Sequence, residues 1–334
     1  MFFALTEDQR EFGAAVRGYL AERFDLAAVR GVVEDVVNDP DGDGNPAALW
    51  KAAGEQGWLA VTVPEEFDGL GLGLVEAQVI ARALGAGVAP GPWRGTVLAA
   101  EAIRLGGTDG QKATWLPRLA TGDAIGAVAA RRDLAAVEYG AIADVVVTPE
   151  GALVTGASAT PRGSYDGAVR LADLRGGTVE ELATAPDIAA RAAVLVAADL
   201  VGVAREALTR TVAYDRERKQ FGVPVGSFQA IKHALADLHC TVTMAEHAAL
   251  YAAHALDVGA EDGALAVAVA KAKAGDAAVA STGAMIQYHG GIGYTWEHEA
   301  HLFYKRAKRL AGQWGDARAH RACIAELTIG AGGS

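Results

Sequence analysis

The sequence has few of the features that mark a secreted or membrane-spanning protein. Cys240 and Cys323 are its only cysteines, so it has no disulfide framework and suits a reducing compartment. No apolar run approaches the roughly 20 residues of a membrane-spanning helix. The opening residues, MFFALTEDQREF, carry acids where a signal peptide has its basic and apolar segments. These absences together predict a cytoplasmic protein.

Positive charge is also scarce. Lysine and arginine total 30 against 41 for aspartate and glutamate, which gives a formal net charge of −11. A surface of that sign is a poor partner for duplex nucleic acid or an anionic membrane. Any phosphate that the chain binds must therefore be held by a local cluster of positive charge and backbone N–H groups.

The spacing of apolar residues divides the 334-residue chain into three parts. Helical spacing dominates the first part, where Thr6 and Gln9 are placed as a capping box. In the second part, Val145 to Val147 and Ala152 to Thr155 flank a Pro-Glu-Gly turn and predict a β-hairpin. Long helical patterns with short breaks return in the third part, the last of them over 301–327, and predict a four-helix bundle. The predicted fold is mainly α, with an N-terminal helical domain, a shortened β domain and a C-terminal bundle at 1–122, 123–185 and 186–334.

The stretch YDRERKQFGVPVGSFQAIKHALADL, 214–238, changes direction between two predicted helices. Its charged helix end, Asp215 to Lys219, precedes Gly-Val-Pro, and a new helix is predicted to begin at Ser227. The fork of Arg218 together with a helix N-terminus suits a diphosphate, and Phe221 can cover the planar part of a cofactor. Taken alone, the corner is more typical of an ordinary turn between helices whose arginine faces solvent.

A second stretch, MIQYHGGIGYTWE at 285–297, ends a helix in glycines. Gly290 and Gly291 allow a ligand to approach the backbone closely, and Gln287 can donate or accept a hydrogen bond. A single glycine-rich turn is a weak signal, but the two stretches together favour a shared binding site.

Both stretches resemble the two C-terminal signatures of the flavin-dependent acyl-CoA dehydrogenases, and LTEDQREF and GWLAVTVPEEFDGLGLG resemble their N-terminal segment. The resemblance covers most of the chain outside 127–185. It implies an FAD shared across a subunit interface, with its flavin ring in the neighbouring chain. It also implies which residues of this chain hold the diphosphate and adenosine parts of that FAD: Arg218, Phe221, Gly222, Gln229, Gln287, Gly290 and Gly291.

The catalytic base that the family requires has no counterpart here. The resemblance places the usual glutamate at Trp314, within LAGQWGDARAH, and an alternative base near Ala190 to Ala192, where no carboxylate stands. Asp316 and Asp199 are the two carboxylates that a displaced base can use, although a shift of about an ångström already misplaces a proton transfer.

The segment that faces the flavin in the family is also lost, since AVAARRDLAAVEYGAIAD stands in its place and the β domain is about half the usual length. We therefore favour a non-catalytic subunit of a heteromeric acyl-CoA dehydrogenase, of the kind that serves steroid side-chain β-oxidation. The resemblance implies an α2β2 complex whose partner supplies the base and most of the acyl-CoA site, with electron-transfer flavoprotein as acceptor.

Two alternatives remain: a homomeric enzyme that uses Asp316 as its base, and a structural homologue that binds no flavin. No metal site is expected, because His298 and His301 lack a third ligand.

Overall fold

The computed structural model describes residues 4–38 and 42–330. Helices form both ends of this part of the chain and short strands its middle, which confirms the predicted fold class. The helices are α1 Glu7–Arg23, α2 Leu26–Asn38, α3 Ala47–Glu55, α4 Leu74–Ala86, α5 Trp93–Gly106, α6 Asp109–Thr121, α7 Ile188–Glu217, α8 Gln229–Asp257, α9 Gly263–His289, α10 Ala300–Gly312 and α11 Ala317–Thr328. The strands are β1 Gly126–Val128, β2 Val137–Glu138, β3 Val145–Val147, β4 Ala152–Thr155, β5 Ser158–Arg162, β6 Leu171–Arg175, β7 Thr178–Glu181, β8 Lys219–Gln220 and β9 Val223–Pro224.

The first helix begins where the capping box predicts. The backbone N–H of Gln9 donates to Thr6 Oγ1 at 3.2 Å, and the N–H of Thr6 donates to Gln9 Oε1 at 2.9 Å. Both bonds satisfy N–H groups that a helix start leaves without partners. None of the helices in the described ranges is long and apolar enough to cross a membrane.

The strands between α6 and α7 form two small sheets, with strand orders β1-β3-β4-β7 and β2-β6-β5. The predicted hairpin is confirmed, because β3 and β4 pair antiparallel with Val146 opposite Val154. Val146 and Val154 pack with Ala172 and Leu174 in a small apolar core. Strands of two to five residues make this a reduced β region.

The structure corrects two predicted helix boundaries in the C-terminal region. The helix predicted over 301–327 is divided into α10 and α11, because Trp314 and Gly315 take positive φ values of 53° and 90°. The helix predicted to begin at Ser227 begins at Gln229 instead. Ser227 lies in a short 3-10 turn and its hydroxyl donates to the carbonyl of Pro224 at 2.6 Å, so it does not cap α8.

Contacts between residues divide the chain into two compact units. One comprises the chain up to residue 26, residues 78–88 and the chain from residue 193; the other comprises residues 27–77 and 89–192. The first holds α1 and most of the C-terminal helices, and the second holds both small sheets. The three domain boundaries drawn from the sequence stay a prediction.

Candidate functional site

An open groove of about 750 Å³ lies where α7 ends, α8 begins and α9 runs into its glycine turn. It brings together four of the seven cofactor-binding residues predicted from the sequence, namely Arg218, Gln287, Gly290 and Gly291. Phe221, Gly222 and Gln229 lie outside its lining. The other lining residues, which are not among those seven, are Tyr214, Gln220, Val225, Ile231, Tyr288, His289 and Ile292.

Arg218 directly follows the last residue of α7 and its backbone is fixed on both sides. Its N–H donates to the carbonyl of Tyr214 at 2.8 Å, and its own carbonyl accepts from Val225 at 2.7 Å. Its side chain is exposed and has no ion-pair partner among the described residues. A fixed backbone and an unpaired guanidinium suit the recognition of an anion that comes from outside the chain.

Phe221 and Gly222 form the two-residue turn of a small hairpin between β8 and β9. Both residues have positive φ, 51° and 80°, as a type I′ turn requires. This conformation is unfavourable for a bulky residue such as Phe221, whose side chain is nevertheless 91% exposed. The ring of Phe221 meets the ring of Phe228 edge to face, at 6.3 Å between centroids, so the chain presents an aromatic ring at an exposed tip.

Gln229 is the first residue of α8 and is exposed. The residue before it, Phe228, provides no side-chain hydrogen bond to cap the helix. The N–H of Ile231 donates to the carbonyl of Phe228 at 3.1 Å, and the N–H groups before it receive no side-chain cap from Phe228. An uncapped helix start of this kind suits an anion.

The three glycines after α9 differ in their backbone conformation and in the space that a side chain would have. Gly290 has φ 65° and ψ −141°, a conformation that other residues rarely adopt. A Cβ on Gly293 would lie 2.6 Å from the carbonyl oxygen of Ile286, so packing within the chain requires this glycine. A Cβ on Gly291 would meet nothing within 4 Å. The absence of a side chain at Gly291 leaves room for something outside the chain.

His289 belongs to the packing beneath this turn. It is buried, stacks on Tyr214 at 4.3 Å between ring centroids, and donates from Nδ1 to the carbonyl of Met285 at 2.7 Å. Burial lowers the pKa of His289, which favours its neutral form. Tyr214 lies one helical turn before Arg218, so helical spacing was the signal that could have identified it.

The break between α10 and α11, where the family motif has its glutamate, contains no free carboxylate. Asp316 caps α11 by accepting from the N–H of Ala319 at 2.8 Å, and this hydrogen bond lowers the pKa of Asp316. The ammonium of fully buried Lys271 donates to the carbonyls of Ala311 at 3.1 Å and Gly315 at 2.8 Å. Burial lowers the pKa of Lys271 to about 8. Hydrogen bonds within the chain therefore engage both Lys271 and Asp316 at this break.

The other two positions considered for a base lack a free carboxylate as well, because ion pairs occupy them. Asp199 is buried and accepts from Arg306 at 2.9 and 2.7 Å. In the stretch from Ala190 to Ala192, Arg191 donates to buried Glu101 at 2.7 Å. Glu101 could not be identified from the sequence, since it is separated from Arg191 by 90 residues and no local pattern joins the two.

The two histidines at helical spacing have local partners. His298 Nδ1 accepts from the N–H of Ala300 at 3.1 Å, and the ring of His301 stacks on Trp296 at 4.3 Å. Within residues 4–38 and 42–330, no group of three or more His, Cys, Asp or Glu side chains is placed to hold a metal ion.

Comparisons with known proteins match both ends of the chain to one family. The model of the acyl-CoA dehydrogenase N-terminal domain matches residues 6–123, and that of the C-terminal domain matches residues 188–328. Acyl-CoA dehydrogenase IpdE2 of Mycobacterium tuberculosis is 36% identical over 305 residues, which are 90% of this chain and 91% of IpdE2.

Two solved structures extend this likeness over almost the whole chain. A variant of the steroid ACAD Tcur3481-Tcur3483 is 27% identical with a TM-score of 0.86, over 98% of this chain and 99% of that one. The ChsE4-ChsE5 complex from Mycobacterium tuberculosis is 25% identical with a TM-score of 0.85, over 98% and 99% of the two chains. The groove, the glycine turn and these matches lead to one conclusion: the chain belongs to the acyl-CoA dehydrogenase family.

Proposed function

We propose that this chain is the non-catalytic subunit of a heteromeric, FAD-dependent acyl-CoA dehydrogenase and forms half of an FAD site that a partner subunit completes. One observation carries the proposal. The groove keeps an unpaired guanidinium, whereas each candidate position for the base is either without a carboxylate or has one engaged by a helix cap or an ion pair.

The groove fits the diphosphate and adenosine parts of FAD. Arg218 supplies a free cationic fork, and the open space at Gly291 leaves room for a ligand against the backbone. Gln287 lines the same groove and can hydrogen-bond the ligand. Phe221 and Gly222 at the hairpin tip, and Gln229 at the start of α8, lie outside the groove lining, and we expect them to contact the parts of FAD that extend toward the partner.

The base is assigned to the partner. Dehydrogenation of an acyl-CoA removes a proton from the α-carbon, and FAD supplies the acceptor for the hydride from the β-carbon. A catalytic base needs a free carboxylate whose pKa is not depressed. The Asp316 carboxylate accepts a helix N–H and has a lowered pKa, so it suits a cap better than a base. This weakens the alternative of a homomeric enzyme that uses Asp316.

The reduced β region supports sharing of the cofactor. Where the family has its flavin-facing segment, this chain has the two-residue strand β2 and a tight turn in which Leu134 and Ala136 take positive φ values of 52° and 55°. We infer that this chain does not hold a flavin ring of its own, so that the ring belongs to the partner's half of the site.

The names of the similar proteins suggest the assembly and the substrate class. ChsE4-ChsE5 is described as a complex, and Tcur3481-Tcur3483 as a steroid ACAD. We infer an α2β2 complex with a catalytic acyl-CoA dehydrogenase subunit and a bulky acyl-CoA, such as a steroid side-chain thioester, as substrate. Electron-transfer flavoprotein is the electron acceptor that this role implies.

The flavin content of the chain, alone and in complex, tests the proposal. Purified alone, the chain should carry little or no flavin absorbance, because half a site recovers only part of the binding free energy. Mixed with an acyl-CoA dehydrogenase subunit that retains the catalytic glutamate, it should form a complex with FAD at the mixed interface. One FAD per lone chain, or failure to bind any such partner, would overturn the proposal.

A further inference from the structure

Asp215 is a buried carboxylate directly beneath the corner that carries Arg218. The sequence places it in a charged helix end, but the structure leaves only 1% of it exposed, in the last turn of α7. Neither of its carboxylate oxygens has a hydrogen-bond partner among the described residues. Burying an ionised carboxylate without a partner is strongly unfavourable, so its protonation must be linked to the local structure.

The corner packs directly on Asp215. A Cβ on Gly226 would lie 3.0 Å from the Asp215 carbonyl oxygen and 3.4 Å from its Cβ, so the turn at Val225–Ser227 reaches this residue closely. Val225 in the same turn donates its N–H to the carbonyl of Arg218 at 2.7 Å. The turn that covers Asp215 is therefore the turn that fixes the backbone of Arg218.

Among the residues that the structure describes, no charged side chain compensates the burial of Asp215. Its burial alone raises its pKa to about 6. The ionisable groups on the surrounding segments include Arg216, Glu217 and Arg218 on and after α7, Lys219 on the hairpin, Lys232 on α8 and His289 on α9. None of them contributes to this shift, which burial alone causes.

We propose that Asp215 is a positioning residue for the FAD-binding corner: its neutral carboxyl allows the turn at Val225–Ser227 to close and hold Arg218, whereas its ionised form loosens that turn. The inference rests on the proposed function in so far as it concerns FAD. The closing of the turn over Asp215 concerns this chain alone and can be tested without any cofactor.

The direction of the pH dependence follows from the raised pKa. Below about pH 4 the carboxyl is protonated in both the folded and the unfolded chain, and its burial costs least. As the pH rises through about 6, the unfolded chain has lost this proton and the folded chain loses it too. The contribution of Asp215 to stability is therefore lost between about pH 4 and about pH 6.

The first experiment measures urea unfolding of the isolated full chain between about pH 4.5 and about pH 7.5. Relative to Asp215→Ala, the unfolding equilibrium constant of the wild type should rise about 25-fold over this range. Glu217→Ala, which removes an exposed carboxylate from the same helical turn, should follow the wild type. Parallel profiles of wild type and Asp215→Ala overturn the inference. If Asp215→Ala does not fold, a 13C NMR titration of the Asp215 carboxyl replaces it, and an ordinary pKa near 4 overturns the inference.

The second experiment measures the rate of FAD loss from the heteromeric complex over the same pH range. The wild-type complex should release FAD faster above about pH 6, and Asp215→Ala should release it at a rate independent of pH over this range. If both complexes lose FAD with the same pH profile, Asp215 does not position the corner. If the complex holds no FAD at all, the proposed function is wrong, while the unfolding experiment still decides how Asp215 is buried.

Discussion

The groove lined by Arg218 and Gly291 and the break between α10 and α11 belong to the same compact unit. They differ in whether their polar groups have hydrogen-bond or ion-pair partners within the chain. At the break, Lys271 bonds two backbone carbonyls and Asp316 caps a helix. At the groove, Arg218 has no ion-pair partner among the described residues and the start of α8 has no side-chain cap. The polar groups at the break are engaged within the chain, whereas those at the groove keep hydrogen-bonding capacity for a ligand. This difference is the one expected if, as we propose, the groove binds a cofactor and the break carries no catalytic base.

The largest effect is expected at Asp199, a second candidate position for the base whose carboxylate, like that of Asp316, is engaged within the chain. Asp199→Asn removes one partner of the buried pair that joins α7 to α10, and it should lower the free energy of unfolding by about 3–5 kcal/mol because Arg306 is left buried without its carboxylate. Urea or thermal unfolding of the chain measures this loss.

Asp276→Asn is the matched control, since Asp276 pairs with Arg321 between α9 and α11 but both side chains are about half exposed. It should cost less than about 1 kcal/mol. Equal losses for the two variants would mean that the burial of Asp199 has no energetic consequence.

The next largest effect is expected at the groove. Arg218→Ala removes a charge-assisted contact to a diphosphate worth roughly 1.5–3 kcal/mol, so the complex should retain FAD about tenfold to a hundredfold more weakly. The stability of the chain should not change, because the guanidinium makes no ion pair within the described residues. Equilibrium dialysis of FAD from the heteromeric complex measures this effect. Arg216→Ala, an exposed arginine two residues earlier, should keep normal retention; if it weakens FAD as much, Arg218 has no special contact.

A smaller effect should separate two glycines of the same turn. Gly293→Ala forces a Cβ to within 2.6 Å of a backbone carbonyl, so it should destabilise the chain by about 1–3 kcal/mol. The Cβ of Gly291→Ala would meet no described atom within 4 Å; this variant should unfold like the wild type but lose FAD more readily from the complex. Thermal unfolding and FAD titration of both variants check the contrast, which disappears if Gly291→Ala is destabilised to the same extent.

Local sequence signals predicted the parts of the fold that depend on neighbouring residues. The capping box at Thr6 and Gln9 and the hairpin between β3 and β4 are of this kind. The break between α10 and α11 was not predicted, because apolar residues continue at helical spacing across it. Its geometry depends on Lys271, which is 44 residues away from Gly315 and bonds its carbonyl.

The same distinction holds for the candidate site. Arg218, Gln287 and the two adjacent glycines follow from short motifs, and the structure gathers them in one groove. The burial of Asp215 could not be predicted from a run of charged residues, since it depends on the turn at Gly226 folding back over the end of α7. Glu101 was missed for a similar reason, because its partner Arg191 belongs to a distant helix.

The most direct test compares two substitutions in the heteromeric complex, measuring acyl-CoA dehydrogenation with a dye acceptor. Asp316→Asn in this chain should leave turnover nearly unchanged, because asparagine also caps a helix and we assign the base to the partner. Glutamine in place of the partner's catalytic glutamate should abolish turnover while FAD stays bound. If Asp316→Asn abolishes turnover in a folded complex that retains FAD, this chain carries the base and its assignment as a non-catalytic subunit is wrong.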